Sequence, residues 1–231
     1  MANVERASYR AVLAPDAAAA DVERAVAGVA VAAQELVDRG EVLTAGLFGY
    51  RDQLFLYLEF IYEGARPDAD GIAAWPDRAG WMAGLLVPFP KLGGTAGWAY
   101  MYPVFWFDEP ASVEGFARTQ APDARCGRIA RLYPDKLMSY VCHHQAIARE
   151  GTFVGDRYQF ISLQDDVLFS YFETPRDREQ VNIRRTSAPS EEIGAWLAVD
   201  PASHFDHFPE AHGDDFLIID TLVSVGRTAA S

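Results

Sequence analysis

Two histidines stand side by side at positions 143 and 144, within "YPDKLMSYVCHHQ" (residues 133–145), in a chain that carries five. The other three, His204, His207 and His212, follow in the same half, and the first 142 residues hold none. Imidazole is the one side chain that exchanges protons near neutral pH without special tuning, so general acid–base chemistry is the first expectation. Asp135 can cap a helix whose opening turns place Tyr140 and His144 four residues apart, on one face. A tyrosine beside a histidine can orient a hydroxyl or share the proton's path. The bland alternative is that one histidine packs and the other is solvated. Cys142 adjoins His143, but neighbouring residues on a helix diverge, which argues against a thiolate–imidazole pair. In "HFDHFPEAH" (204–212), three histidines lie near Asp206 and Glu210, all metal-capable groups. The H-x2-H-x4-H spacing matches no common zinc motif, so the expectation is a solvated loop and no metal.

Positioning such groups requires a scaffold, and the chain repeats itself. "LFGYRDQLFLYLEF" (47–60) lies over "FISLQDDVLFSYFE" (160–173), an apolar run, a polar turn and a return ending in Glu, which is a hairpin signature. "YRAVLAPD" (9–16) matches "RIARLYPD" (128–135), and "AGWMAGLLVPFP" (79–90) lies over "IGAWLAVDPASH" (193–204), with Trp81 opposite Trp196. Each unit closes on an apolar strand, 100–107 or 216–225. Strand, helix, strand, strand, helix, strand is the ferredoxin-like plan. The first helix runs from an Asp16 cap to Gly40. The expected organisation is α+β: repeat 1 over 8–107, a connector over 108–127 and repeat 2 over 128–226. Leu54, Leu56, Leu58 and Phe60 share one strand face, while Phe55, Tyr57 and Glu59 share the other, matched by Phe169, Tyr171 and Glu173. Helices should cover the aliphatic faces. The aromatic faces then pack sheet against sheet, forming an α/β barrel within one chain, unless Glu59 and Glu173 simply meet solvent at strand ends.

Composition narrows the partners. A net charge of −13 argues against nucleic acid and anionic membrane, and 13% aromatic residues supply a substantial core. Two cysteines, Cys126 and Cys142, make no disulfide framework. The start "MANVERASYR" lacks the build of a signal peptide, and no apolar run reaches the roughly 20 residues needed to span a bilayer. A soluble, cytoplasmic protein is expected.

Repeat 2 resembles the L-rhamnose mutarotases in Pro134-Asp135, Tyr140, His144, "RYQFISLQDDVLFSYFE" (157–173) and Trp196. The resemblance implies a cofactor-free isomerase that interconverts sugar anomers. It further implies His144 as the acid/base group with Tyr140 assisting, and Tyr158 and Trp196 in the pocket. Glu173 and Tyr171 join them as substrate-binding candidates from the strand face. In repeat 1, Ala25 stands where His144 would be and Thr44 or Leu43 where Tyr158 would be, so that copy reads as a scaffold half without a site. Two further readings suit the same fold. One is an aromatic polyketide cyclase or cofactor-independent monooxygenase, the other a non-catalytic binding protein. The partner expected in every case is a small molecule, a sugar or an aromatic, bound by a monomeric intramolecular pseudo-dimer.

Overall fold

The computed structural model describes residues 2–91, 94–110, 112–151, 156–175 and 190–228. The elements run β1 (Asn3–Val12), α1 (Ala19–Asp38), β2 (Val42–Tyr50), β3 (Gln53–Tyr62), α2 (Ala69–Ala73), α3 (Trp75–Arg78), β4 (Phe89–Lys91), β5 (Gly94–Ala96) and β6 (Ala99–Trp106). They continue with α4 (Val113–Phe116), β7 (Ala124–Arg131), α5 (Leu137–Glu150), β8 (Phe160–Gln164), β9 (Val167–Thr174), α6 (Glu191–Ala198) and β10 (Leu217–Gly226). The fold is mixed α+β, with antiparallel hydrogen bonding in the closed order β1-β3-β2-β10-β7-β9-β8-β6. Two compact units divide the chain: Met1–Met101 with Pro110–Ala121 and Asp220–Ser231, and Tyr102–Glu109 with Pro122–Ile219.

In unit one, β1, β3 and β2 form continuous antiparallel ladders. Val29, Ala33, Leu36 and Val37 of α1 pack on Leu54, Leu56, Leu58 and Phe60 of β3, so the aliphatic face is the helix-covered one. Ala25 packs against this same core. The β2–β3 hairpin turns in two residues, with Arg51 at φ 56°. Unit two repeats the device: the β8–β9 hairpin turns through Asp165 at φ 53°, and α5 and α6 cover Ala130, Ile161 and Leu168.

Glu59 and Glu173 do not meet solvent. They are 0% and 4% exposed. Burial alone would raise Glu59's carboxyl, but the Arg118 guanidinium beside it and the Tyr57 hydroxyl outweigh that and hold it below the ordinary range. Arg118 comes from the stretch expected to be a plain connector. Glu173 accepts from Tyr171 Oη at 2.5 Å and lies 3.4 Å from Arg125 Nε. The two Tyr–Glu pairs sit at matching places in the two hairpins.

Two helix expectations are corrected. Residues 79–90 are not helical, because Gly80, Met82 and Gly84 all adopt left-handed backbone, at φ 71°, 60° and 77°. The helical turns of that region come earlier, in α2 and α3. Asp16 does not cap α1, whose first turn begins after Ala18 with no side-chain cap.

Candidate functional site

Pro134 opens a short 3-10 turn that leads into α5, and Gly151 at φ 63° closes the helix in a left-handed cap. Ser190 ties the start of α6 to α5: its Oγ accepts from Ile193 N at 3.0 Å and donates to Glu150 at the end of α5. The two helices thereby hold an aromatic cluster over the sheet. Tyr140 and His144 stack with ring centroids 3.7 Å apart and planes 18° from parallel. Trp196 meets His144 edge-on at 4.7 Å and Tyr140 at 5.7 Å. The helical spacing thus brings Tyr140, His144 and Trp196 together.

His144 Nδ1 lies 2.9 Å from the carbonyl oxygen of Tyr140. A carbonyl only accepts, so Nδ1 carries the proton and, in the neutral ring, Nε2 is left as a bare acceptor. Burial pushes the imidazole down to about 4, the neighbouring His143 and His204 add to this, and the Tyr140 carbonyl opposes it. At neutral pH the ring is an uncharged acceptor. Burial likewise pushes the Tyr140 hydroxyl well above the ordinary phenol range; Arg128 pulls it down and Asp215 pushes it up.

These three residues line a cleft of about 160 Å³. Its other walls include Phe105, Gln159, Phe205 and Phe216, with Arg128 and Asp215 as its charged members. A cavity of about 150 Å³ accepts a benzene ring, so the cleft matches one aromatic ring. A wider cavity of about 670 Å³ adjoins it and shares Arg128, Asp215 and Phe216. Arg128 lies over the Phe216 ring at 4.4 Å and near Phe172 at 5.3 Å, with its Nε donating to Ser170 Oγ at 3.3 Å. Asp215 Oδ1 is 3.1 Å from His207 Nε2.

The remaining expected site residues lie apart. Tyr171 and Glu173 are on the face of β9 opposite Leu168, which packs under the helices, so the sheet separates them from His144. Tyr158 is half-buried, with its backbone N–H on Asp156 Oδ1, and does not line the cleft. His204 packs behind Trp196 at 4.7 Å, and its Nε2 lies 2.9 Å from Ser139 Oγ. His204, His207 and His212 do not converge: among the described residues no three His, Cys, Asp or Glu side chains are grouped to hold a metal. Unit one contains a cavity of about 340 Å³ beside Trp75, but its charged groups are engaged locally. Asp68 accepts from Gly71 N at 2.5 Å, Arg78 donates to Gly71 O and Glu41 pairs with Arg39.

Sequence reasoning missed Arg128. Its signal was a cation on the same alternating face as Ala130, the face the helices cover, opposite Ser170 of β9. Phe205, Asp215 and Phe216 reach the cleft from a long loop and carry no local signal.

No protein-family model matches the chain, and no curated protein is significantly similar to it. The fold is similar to that of a presumed monooxygenase from Fusobacterium nucleatum, at 8% identity and TM-score 0.44, covering 99% of this chain and 96% of that one. It is similar to a presumed monooxygenase from Lactobacillus acidophilus, at 7% identity and TM-score 0.44, covering 99% and 98%. An anthrone oxidase-like protein follows at 8% identity and TM-score 0.37, covering 99% and 97%. Likeness at this level carries no argument about activity. The expected kinship with L-rhamnose mutarotases fails, since no family model matches and the similar structures belong elsewhere. The isomerase and carbohydrate reading goes with it. Its physical weakness is visible: helical spacing and aromatic packing suffice to bring Tyr140, His144 and Trp196 together, while Tyr171 and Glu173, counted to the same pocket, lie across the sheet.

Proposed function

We propose that the cleft of unit two binds a small hydroxylated aromatic compound and that the chain oxidises it with dioxygen. One observation carries this reading: the bare Nε2 of His144 stands among aromatic walls that enclose about one ring's volume. A hydroxyl on the bound ring donates a hydrogen bond to Nε2, which orients the ring and polarises the O–H bond as the oxygen ionises. The resulting phenolate is electron-rich and supplies the electrons itself. A phenol C–H becomes a carbonyl as one oxygen atom enters the ring and the other leaves as water: phenol plus O2 gives quinone plus H2O. Trp196 and Phe205 hold the ring and keep bulk water from the reacting carbon. The naming of similar structures as presumed monooxygenases agrees with this reading but adds no weight to it.

A second reading is a binding protein without turnover. It is favoured by the 3.7 Å stacking of His144 on Tyr140, a geometry that a packed histidine also adopts. Oxygen uptake with 1-naphthol separates the two. Protein-dependent uptake that disappears in His144→Ala supports the oxidase. Binding without uptake supports the second reading, and uptake unchanged in the variant contradicts the assigned role of His144.

We also infer two tandem ferredoxin-like repeats, 8–107 and 128–226, joined by 108–127. The common element order and the matching Tyr57–Glu59 and Tyr171–Glu173 pairs support this. On this reading the chain is a monomer; light scattering that finds an obligate dimer contradicts it.

A further inference from the structure

His204 has no part in the oxidation proposed above, yet it is fully enclosed, at 0% exposure, and both of its ring nitrogens are engaged. Nδ1 lies 3.2 Å from the carbonyl oxygen of Asp200. A carbonyl only accepts, so the proton sits on Nδ1, and Nε2 is the acceptor of the neutral ring. The group facing Nε2 at 2.9 Å is the hydroxyl of Ser139, which therefore donates to the imidazole. Hydroxyl, imidazole and an orienting oxygen in that order are what a serine nucleophile requires, here with a backbone carbonyl in the third place.

The backbone fixes each member. Asp200 adopts left-handed backbone at φ 53°, and its carbonyl also accepts from the Ser203 N–H at 3.0 Å and the Ser203 hydroxyl at 2.7 Å. The His204 carbonyl accepts from Tyr133 N at 3.0 Å, and Asp206 N donates to Arg131 O at 2.9 Å. Residues 204–206 are thereby strapped to the chain that enters α5. Ser139, in the first turn of α5, is half-exposed, so it is the accessible member and the imidazole the enclosed one. Trp196 touches both His204 and His144, each at 4.7 Å, but neither Ser139 nor His204 lines the ring-sized cleft, so the pair is a separate site.

Its surroundings narrow the substrate. Met138 and Leu197 are 71% and 60% exposed, and they lie at the same end of the helix pair because Ser190 ties the start of α6 to the end of α5. This apolar border suits an uncharged ester. An enclosed imidazole is poorly placed to protonate a bulky leaving group, which favours one that departs without a proton, as a phenolate does.

We propose that Ser139 is a nucleophile with His204 as its general base, taking the acyl group of small aryl esters. Ser139 Oγ bonds to the acyl carbon, its proton passes to His204 Nε2, and the bond to the aryl oxygen breaks to release a phenolate. The imidazolium then gives its proton to solvent. Water adds to the acyl-serine, the carboxylic acid leaves and Ser139 Oγ regains a proton.

The test incubates the full chain with 4-nitrophenyl acetate, quenches in acid and locates acetyl groups by peptide mass spectrometry. Ser203 is the internal comparison, since it is also half-buried but its hydroxyl donates to a carbonyl instead of an imidazole. Ser139 should acetylate ~10²-fold faster than Ser203 or more, the low end of what general-base help supplies. His204→Gln should remove that advantage, and Ser139→Ala should slow the release of 4-nitrophenolate to match. Should His204→Gln fail to fold, the ratio of Ser139 to Ser203 in the wild type still decides. Acetylation of Ser139 no faster than that of Ser203 overturns the proposal, as does a rate unchanged in folded His204→Gln. Either result leaves the aromatic cleft untouched, because binding of 1-naphthol and oxygen uptake do not involve this pair.

Discussion

His144 Nδ1 sits 2.9 Å from the carbonyl oxygen of Tyr140, one helical turn back on α5, and that single contact decides what the imidazole can do. The nitrogen facing the carbonyl must be the protonated one, so the ring offers Nε2 as an acceptor. Several consequences can be measured.

Burial that lowers the His144 pKa from 6.5 to about 4 makes stability depend on pH. In the unfolded chain the ring takes up a proton near 6.5, and in the folded chain only near 4, so the unfolded state binds more protons between those values. Stability from this residue is complete above about pH 6.5 and falls as the pH drops toward 4, by roughly 3 kcal/mol. Urea unfolding of the wild type and His144→Gln across that window should show the wild type losing more stability. Parallel curves would contradict the buried, neutral imidazole.

Trp196 joins α6 to both Tyr140 and His144, at 5.7 and 4.7 Å. Truncating it to alanine should cost about 2–4 kcal/mol, toward the lower end of the range for buried aromatics because this indole is only half-buried. Trp196→Phe should recover most of that and retain affinity for aromatic ligands. Chemical denaturation and ligand titration read the two effects separately.

Glu173 provides a contrast on the other face of β9. Replacing it with Gln removes a carboxylate that Tyr171 and Arg125 face, so stability should fall by about 1–3 kcal/mol. Affinity for an aromatic ligand should change by less than about twofold, since Glu173 does not line the cleft. A large loss of affinity would place the site on the wrong side of the sheet.

In unit one, the buried Glu59–Arg118 pair is fully enclosed, at 0% and 2% side-chain exposure. Arg118→Met leaves a buried carboxylate without its main counter-charge and should cost about 3–5 kcal/mol. Adding Glu59→Gln should restore part of that loss, which thermal unfolding of the single and double variants would reveal.

Local periodicity made much of this legible. A four-residue spacing puts Tyr140 over His144, and strand alternation separates Leu54, Leu56 and Leu58 from Tyr57 and Glu59. The same alternation, applied to β9, already separates Tyr171 and Glu173 from the helix-covered face. What stayed hidden is non-local. Nothing near Glu59 announces that Arg118 reaches it across the intervening chain, and nothing near residue 144 points to Phe216. The region 79–90 has helix-like apolar spacing, but three left-handed residues break it, and one of these, Met82, carries no compositional warning.

The most direct test of the central claim is nitrogen NMR of the histidine side chains during titration with 1-naphthol. The account predicts that free His144 is neutral with its proton on Nδ1, and that Nε2 alone among its ring nitrogens shifts strongly as the hydroxyl binds. A charged ring, a proton on Nε2, or a His144 signal that ignores saturating ligand would contradict it.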